Sequence, residues 1–319
     1  MEILVDLNKA FLEKRAKEYG FVRDTLEKVY RLVELLDYIS DNPFLADKLT
    51  LKGGTAINLL VFDIPRLSVD IDLDYSRNVD KESMFDERKR INEEIDKFIQ
   101  LNNYKRSQHS QSSHTLDSIV ISYENKGGNK DLIKLEVNYS MRAHVLPAQS
   151  KKIMPEIFPA ENAIKTLHEL ELFASKVNAL INRTAIRDLY DVENMIEKGI
   201  VKREDKDIFK NIIVFYHVLT SDHPELKMDI NNIEDLANND VRTDLNPVIK
   251  NSEDFELQSS KNRVKKYLEE LLVLDRAEEE FITEFKENNY LPELLFDDET
   301  IINRIKDHPM AIWRTMKRD

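Results

Sequence analysis

The 319-residue sequence contains no cysteine, which excludes disulfides and thiolate-bound zinc and is what a reducing compartment permits. No uninterrupted apolar run approaches the ~20 residues a membrane-spanning helix requires, so no membrane is expected as a partner. The opening stretch "MEILVDLNKAFLEKRAKEYG" carries acids early and has no apolar signal core, so the expected location is cytoplasmic. Basic charge is in short supply: 47 Lys and Arg stand against 60 Asp and Glu, a formal net charge of -13. That balance disfavours nonspecific attraction to nucleic acid or to an anionic membrane. The basic runs that remain, "KNRVKK" (Lys261–Lys266), "RTMKR" (Arg314–Arg318) and the arginines of "NRTAIRD", read first as solvated helix faces. Missing too are a Gly-x-x-x-x-Gly-Lys phosphate loop, Gly-x-Gly-x-x-Gly, Gly-x-Ser-x-Gly and His-Glu-x-x-His. The seven histidines are scattered without metal spacing.

What is present is a charge-rich, helix-leaning chain, 41% hydrophobic and 34% charged, long enough for two cores. Residues 6–40 carry apolar side chains at helical spacing, and "DNP" at 41–43 breaks them. "KLTLKGG" reads as a short strand entering a turn, and "TAINLL" as a helix start with Thr55 near its N-cap. "RLSVDIDLDYS" is a strand by its period of two, and a charged helix follows over about 80–101. "SIVISYEN" and "LIKLEVNYS" are strands joined through the Gly-Gly turn of "KGGNKD". After "FPAENAI" the pattern is helical, beginning with one long amphipathic stretch over 167–199 that Gly199 closes. Residues 221–260 are polar and weakly periodic and read as a connection. The expected class is α+β, with a small mixed sheet flanked by helices over 1–158 and a mainly helical domain over 159–319.

Three constellations carry chemistry. On a strand, alternate residues share a face, so Asp70, Asp72 and Asp74 point one way and Val69, Ile71 and Leu73 the other. Two such carboxylates, about 7 Å apart at Cα, can converge on a divalent ion. Magnesium suits hard oxygen ligands shared with substrate phosphates. The same pattern also fits acids on the wet face of a half-exposed strand. Upstream, Gly53 and Gly54 let backbone approach a phosphate, Thr55 adds a hydroxyl, and the helix start behind them offers free N–H groups. Glu136, in the strand "LIKLEVNYS", reads either as a third carboxylate of a metal site or as a strand acid paired with Lys134 or Lys52. Downstream, Asp188 and Asp191 lie three residues apart on one helical face after Arg187, and Lys176 joins them if the helix is continuous. A lysine there neutralises a triphosphate, and an arginine grips two oxygens. An ordinary ion-pair ladder has the same spacing.

With these residues in hand, the sequence resembles the abortive-infection toxin family of AbiEii and AbiGii type. Its members are type IV toxin–antitoxin nucleotidyltransferases with a polymerase-β-like core. The likeness rests on "KGGTAINLL" followed by "RLSVDIDLDY" and, downstream, "ASKVNALINRTAIRDLYDV", with "YLPELLF" and "HPMAIW" as lesser matches. It implies transfer of a nucleoside monophosphate from an NTP to an acceptor with loss of pyrophosphate. Asp70, Asp72 and, as third carboxylate, Glu136 would hold Mg²⁺, with Mn²⁺ as its substitute. Gly53, Gly54 and Thr55 would hold the β,γ-phosphates, with Lys176 countering their charge. Asp188 would position or deprotonate the acceptor, and Asp191 or Arg187 would orient it. The acceptor implied is RNA, with the tRNA acceptor end first, and a cognate antitoxin is the implied protein partner. Two other readings stay open: a glycosyltransferase that binds a metal–nucleotide-sugar at Asp-x-Asp, and a nucleotide-sensing or partner-binding module without turnover.

Overall fold

The computed structural model describes residues 7–316. The first six residues, where the stretch read as leaderless begins, and the last three, which end the Arg314–Arg318 basic run, lie outside the described residues.

The chain forms two compact units that interleave. The first takes the described residues up to Arg142, then Ala148–Leu167 and Asn246–Glu253; the second takes Ala143–Pro147, His168–Leu245 and the described residues from Asp254 onward. A single cut near 158 does not reproduce this, because two distant segments return to the first unit. Thr166 pairs with Leu51 in its sheet, and Leu67 N–H donates to the Val248 carbonyl at 2.7 Å. In the second unit, Glu171 accepts from the Val145 and Leu146 N–H groups at 2.9 and 3.1 Å, which pins the short 143–147 segment there.

In the first unit α1 (Lys9–Tyr19), α2 (Arg23–Asp41) and α3 (Pro43–Lys48) lead into β1 (Leu49–Lys52). The "DNP" signal works as a restart: the Asn42 side chain accepts from the Phe44 and Leu45 N–H groups, and Pro43 opens α3. A four-residue helix, α4 (Gly53–Ala56), runs on into a π-helical turn at Ile57–Val61, and β2 (Asp70–Tyr75) follows. Asp80 then caps α5 (Lys81–Leu101) by accepting from Ser83 N–H. Six further strands complete the sheet: β3 (Lys105–Arg106), β4 (Gln111–Ser112), β5 (Leu116–Glu124), β6 (Lys130–Asn138), β7 (Gln149–Lys151) and β8 (Ile164–Thr166).

Among the described residues they form one mixed sheet in the order β3-β5-β6-β2-β1-β8-β7, with β4 on β5. β2 runs antiparallel to β1 and parallel to β6. One face of the central strands is apolar and closed: Leu49, Leu51, Ile71, Leu73, Leu135, Val137, Ile119 and Ile121 are all buried. α2 and α5 add Leu32, Leu36, Ile91 and Ile95 to that core. The other face is polar, and Asp70, Asp72, Lys134 and Glu136 lie on it in adjoining strands.

The second unit is mainly helical: α6 (Glu169–Arg183), α7 (Ile186–Glu197), α8 (Lys206–Thr220), α9 (Asn238–Asp240), α10 (Leu257–Leu271), α11 (Arg276–Lys286), α12 (Glu299–Ile305) and α13 (Pro309–Thr315). The single helix expected over 167–199 is two. Thr184 takes the left-handed conformation at φ 51, and Ala185 restarts the chain in extended geometry. That conformation is a true outlier for a β-branched residue, and no Gly or Pro marks the break. Gly199, at φ 59, does stand just past the end of α7. The polar stretch 221–260 holds short helical turns at Asn231–Asp235 and Val241–Leu245 before its return to the first unit.

Candidate active site

The first cluster of candidate residues is built where β1 turns into α4. Gly53 has φ +71, and a Cβ there would press into the Asp72 carboxylate, with Asp72 Cβ and Cγ 3.1 Å away. Backbone and carboxylate therefore meet at a distance only glycine allows. A Cβ on Gly54 would instead sit 2.7 Å from Arg66 Nη2 and 3.0 Å from Ser68 Oγ. The helix begins at Gly53, two residues earlier than the sequence indicates, and no side chain caps it. Its first turn therefore starts beside Asp72 with no side chain capping it. Thr55 is not the cap. It is fully buried and its hydroxyl donates to the Asp70 carbonyl, tying the helix start to the aspartate strand.

On β2 the three aspartates differ in setting. Asp74 is buried and paired with Lys52 at 2.5 Å; burial pushes its carboxyl up, and the Lys52 ammonium offsets part of that rise. Asp70 and Asp72 are half-buried on the polar face. The parallel register sets Asp70 beside Lys134 and Asp72 beside Glu136, while β1 sets Lys52 opposite Asp72. Glu136 is paired with Lys134 at 2.9 Å. That contact raises the Lys134 pKa; slight burial opposes it, and the charges of Glu136, Asp70 and Asp72 add to it. Among the described residues no group of three or more His, Cys, Asp or Glu is gathered to hold a metal ion. The Asp70/Asp72 pair has the hard oxygens and shared face a divalent cation needs, and the bare backbone of Gly53 abuts it. The third carboxylate is turned to a lysine.

A second cluster of candidate residues lies in the other unit. The break at Thr184 folds α7 against α6, so Lys176 meets both aspartates although the helix is not continuous. Lys176 Nζ lies 2.8 Å from Asp188 Oδ1 and 3.2 Å from Asp191 Oδ2. Arg183 closes on Asp188 with two bonds, Nε to Oδ2 at 2.7 Å and Nη2 to Oδ1 at 2.9 Å. Lys176, Asp188 and Asp191 are all buried. Burial alone would raise the Asp188 pKa, but the Lys176 charge and the Arg183 bonds outweigh it and hold the carboxyl below its usual range. Arg187 Nε donates to the Asp244 carbonyl at 2.8 Å.

Arg66, Ser68 and Arg183 are the site neighbours that sequence reasoning missed. The first two sit inside the quoted "RLSVDIDLDYS" and the third inside "NRTAIRD", so each was in view without a spacing to single it out. The basic run on α10 is already in use. Lys265 pairs with Glu234 at 2.7 Å, Lys261 donates to the Glu234 carbonyl at 2.7 Å, and Arg263 holds Glu193 and Glu197. Arg314 donates to the Leu219 carbonyl at 3.0 Å. No helix among the described residues is long and apolar enough to cross a membrane.

A family model described as the nucleotidyl transferase AbiEii toxin of type IV toxin–antitoxin systems matches residues 34–281, most of the chain and both clusters of candidate residues. The chain belongs to the AbiEii family. It is thus a nucleotidyltransferase toxin of the type IV toxin–antitoxin class, and the α+β class expected from the sequence holds. Among solved structures it is similar to MenT4, a nucleotidyltransferase toxin from Mycobacterium tuberculosis H37Rv. That likeness has a TM-score of 0.62 at 15% identity and covers 96% of this chain and 99% of that one, so it is a likeness of fold. No curated protein matches.

Proposed function

We propose that this AbiEii-family protein moves a nucleoside monophosphate from an NTP to the end of an RNA, the tRNA acceptor end first, in a Mg²⁺-dependent reaction. The observation that carries the reading is the meeting of the Gly53 backbone and the Asp72 carboxylate, with Asp70 on the same strand face. A phosphate chain and its cation need adjoining sites of opposite character, and these adjoin.

Asp70 and Asp72 would hold the cation, Mg²⁺ or Mn²⁺ in its place, with Glu136 beside Asp72 as a further ligand. When bound, the cation stabilises charge on the attacking and leaving oxygens. The N–H groups at the start of α4 take the β,γ-phosphates, and the Thr55 hydroxyl keeps that helix start on the aspartate strand. Lys176, held by Asp188 and Asp191 within the second unit, is the residue assigned to counter triphosphate charge. Asp188, kept ionised by Lys176 and Arg183, is suited to position the acceptor hydroxyl as a hydrogen-bond acceptor; its lowered pKa makes it a weak base for the proton. Asp191 or Arg187 orients that acceptor. The cellular setting is the cytoplasm, with a cognate antitoxin as partner.

The test is incubation with total bacterial RNA, Mg²⁺ and each α-³²P-labelled NTP in turn, beside an Asp70→Ala/Asp72→Ala control. Label in a tRNA-sized band with the unaltered protein alone is the expected outcome, and it names the nucleotide. Equal labelling by the control would overturn the assignment of the site. No label from any NTP would overturn RNA as the acceptor.

A further inference from the structure

The third carboxylate is the anomaly of this site. Register places Glu136 beside Asp72, as a three-carboxylate metal site requires, yet the three are not gathered. What separates Glu136 from such a site is Lys134, whose ammonium lies 2.9 Å from its carboxylate. Both residues are on β6 and on the polar face, two residues apart, and Lys134 stands in register with Asp70. The lysine side chain is 45% exposed, so nothing packs it into this position, and its carboxylate neighbours supply the attraction. Parallel strands lie about 4.8 Å apart, so the backbones of Lys134 and Asp70 are direct neighbours across the ladder.

We propose that Lys134 is the resident counter-cation of the carboxylate row and competes with the divalent ion for Glu136. This rests on the reading of Asp70 and Asp72 as the metal-holding pair. In the nucleotide-free protein the ammonium satisfies the row and weakens metal binding. When a cation enters with a triphosphate, Lys134 leaves Glu136, and the added phosphate charge gives the ammonium a second partner. The site is thereby biased to fill with metal and nucleotide together rather than with metal alone.

The test is a Mn²⁺ titration of the nucleotide-free protein, followed by the free-Mn²⁺ electron paramagnetic resonance signal, which reads occupancy without any turnover. Lys134→Met removes the competing charge from an exposed position. One unit charge about 5 Å from a divalent ion, screened as in water, is worth roughly tenfold in affinity, so Mn²⁺ should bind about tenfold more tightly. Lys134→Arg keeps the charge and should bind as the unaltered protein does. Adding a non-hydrolysable NTP analogue should shrink the difference between Lys134→Met and the unaltered protein. Equal or weaker Mn²⁺ binding by Lys134→Met overturns the inference, while loss of binding in Asp70→Asn/Asp72→Asn still upholds the metal site beneath it. Absence of Mn²⁺ binding in every form, with or without the analogue, overturns both.

Discussion

Replacing Gly53 with alanine separates the catalytic use of this turn from its structural use. The backbone is held at φ +71, where an L-residue costs about 1–2 kcal/mol relative to glycine. The new Cβ also lands against the Asp72 carboxylate, 3.1 Å from its Cβ and Cγ, so Asp72 must leave its rotamer for about 0.5–1.5 kcal/mol more. A total near 2 kcal/mol lowers the melting temperature by several degrees without unfolding the protein. Activity should suffer far more. With Asp72 in its proposed role as a metal ligand, a displacement of about 1 Å costs on the order of 100-fold. Gly54→Ala is the comparison: Gly54 has no positive φ, and its nearest neighbour is the tip of Arg66 rather than a ligand. That variant should lose about 1 kcal/mol or less and keep transfer within tenfold of the unaltered rate. Labelled-nucleotide transfer and a thermal melt on the same samples check both. Full transfer by Gly53→Ala, or equal damage from the two variants, would refute the claim that this glycine exists to seat Asp72.

Lys176→Ala leaves two buried carboxylates, Asp188 and Asp191, without their shared cation, and should cost about 3–5 kcal/mol on denaturant unfolding as well as abolishing transfer. From the sequence alone that variant is expected to melt almost unchanged; the burial of the cluster reverses this. Asp188 titrates below its usual range when folded, so its contribution to stability is complete above the unfolded value of about 3.9 and is lost as pH falls through the lower folded value. Melting curves of the unaltered protein and Asp188→Asn should therefore differ at pH 7 and converge below about pH 4. Arg88→Met strips the guanidinium from buried Asp117, to which Arg88 Nε donates at 3.0 Å, and should cost about 3–5 kcal/mol in the first unit with no specific effect on Mn²⁺ binding.

How legible the molecule was depended on whether a feature repeats along the chain. The alternation that makes β2, β5 and β6 strands is the same alternation that gives each a polar face, so the aspartate face came with the strand. β3, β4, β7 and β8 are two or three residues long, too short to carry a period, and only pairing defines them. The parallel neighbours β2 and β6 are separated in the chain by α5 and the rest of the sheet's edge, so the register that sets Glu136 beside Asp72 has no sequence signal. Lys134 was in view only as a strand partner for Glu136. Its position beside Asp70 makes that pairing a property of the site.

The two clusters of candidate residues, one in each unit, also differ in what fixes them. Gly53 and Asp72 are locked by contact, since no other residue fits the space between strand and turn. Lys176, Asp188 and Asp191 were picked out by a spacing that assumed one helix, and the helix breaks between them. They meet all the same because Thr184 turns the chain and Arg183, the last residue of α6, reaches across the break to Asp188 with both of its donors. Charge rather than helical phase holds this cluster: Lys176, Asp188 and Asp191 are buried together with the exposed Arg183 closing on Asp188 from outside, and removal of Lys176 leaves two carboxylates that the interior does not tolerate. The strand half should therefore fail by misplacement with modest loss of stability, and the helical half by unfolding. The Gly53→Ala and Lys176→Ala melts, set side by side, distinguish these two modes.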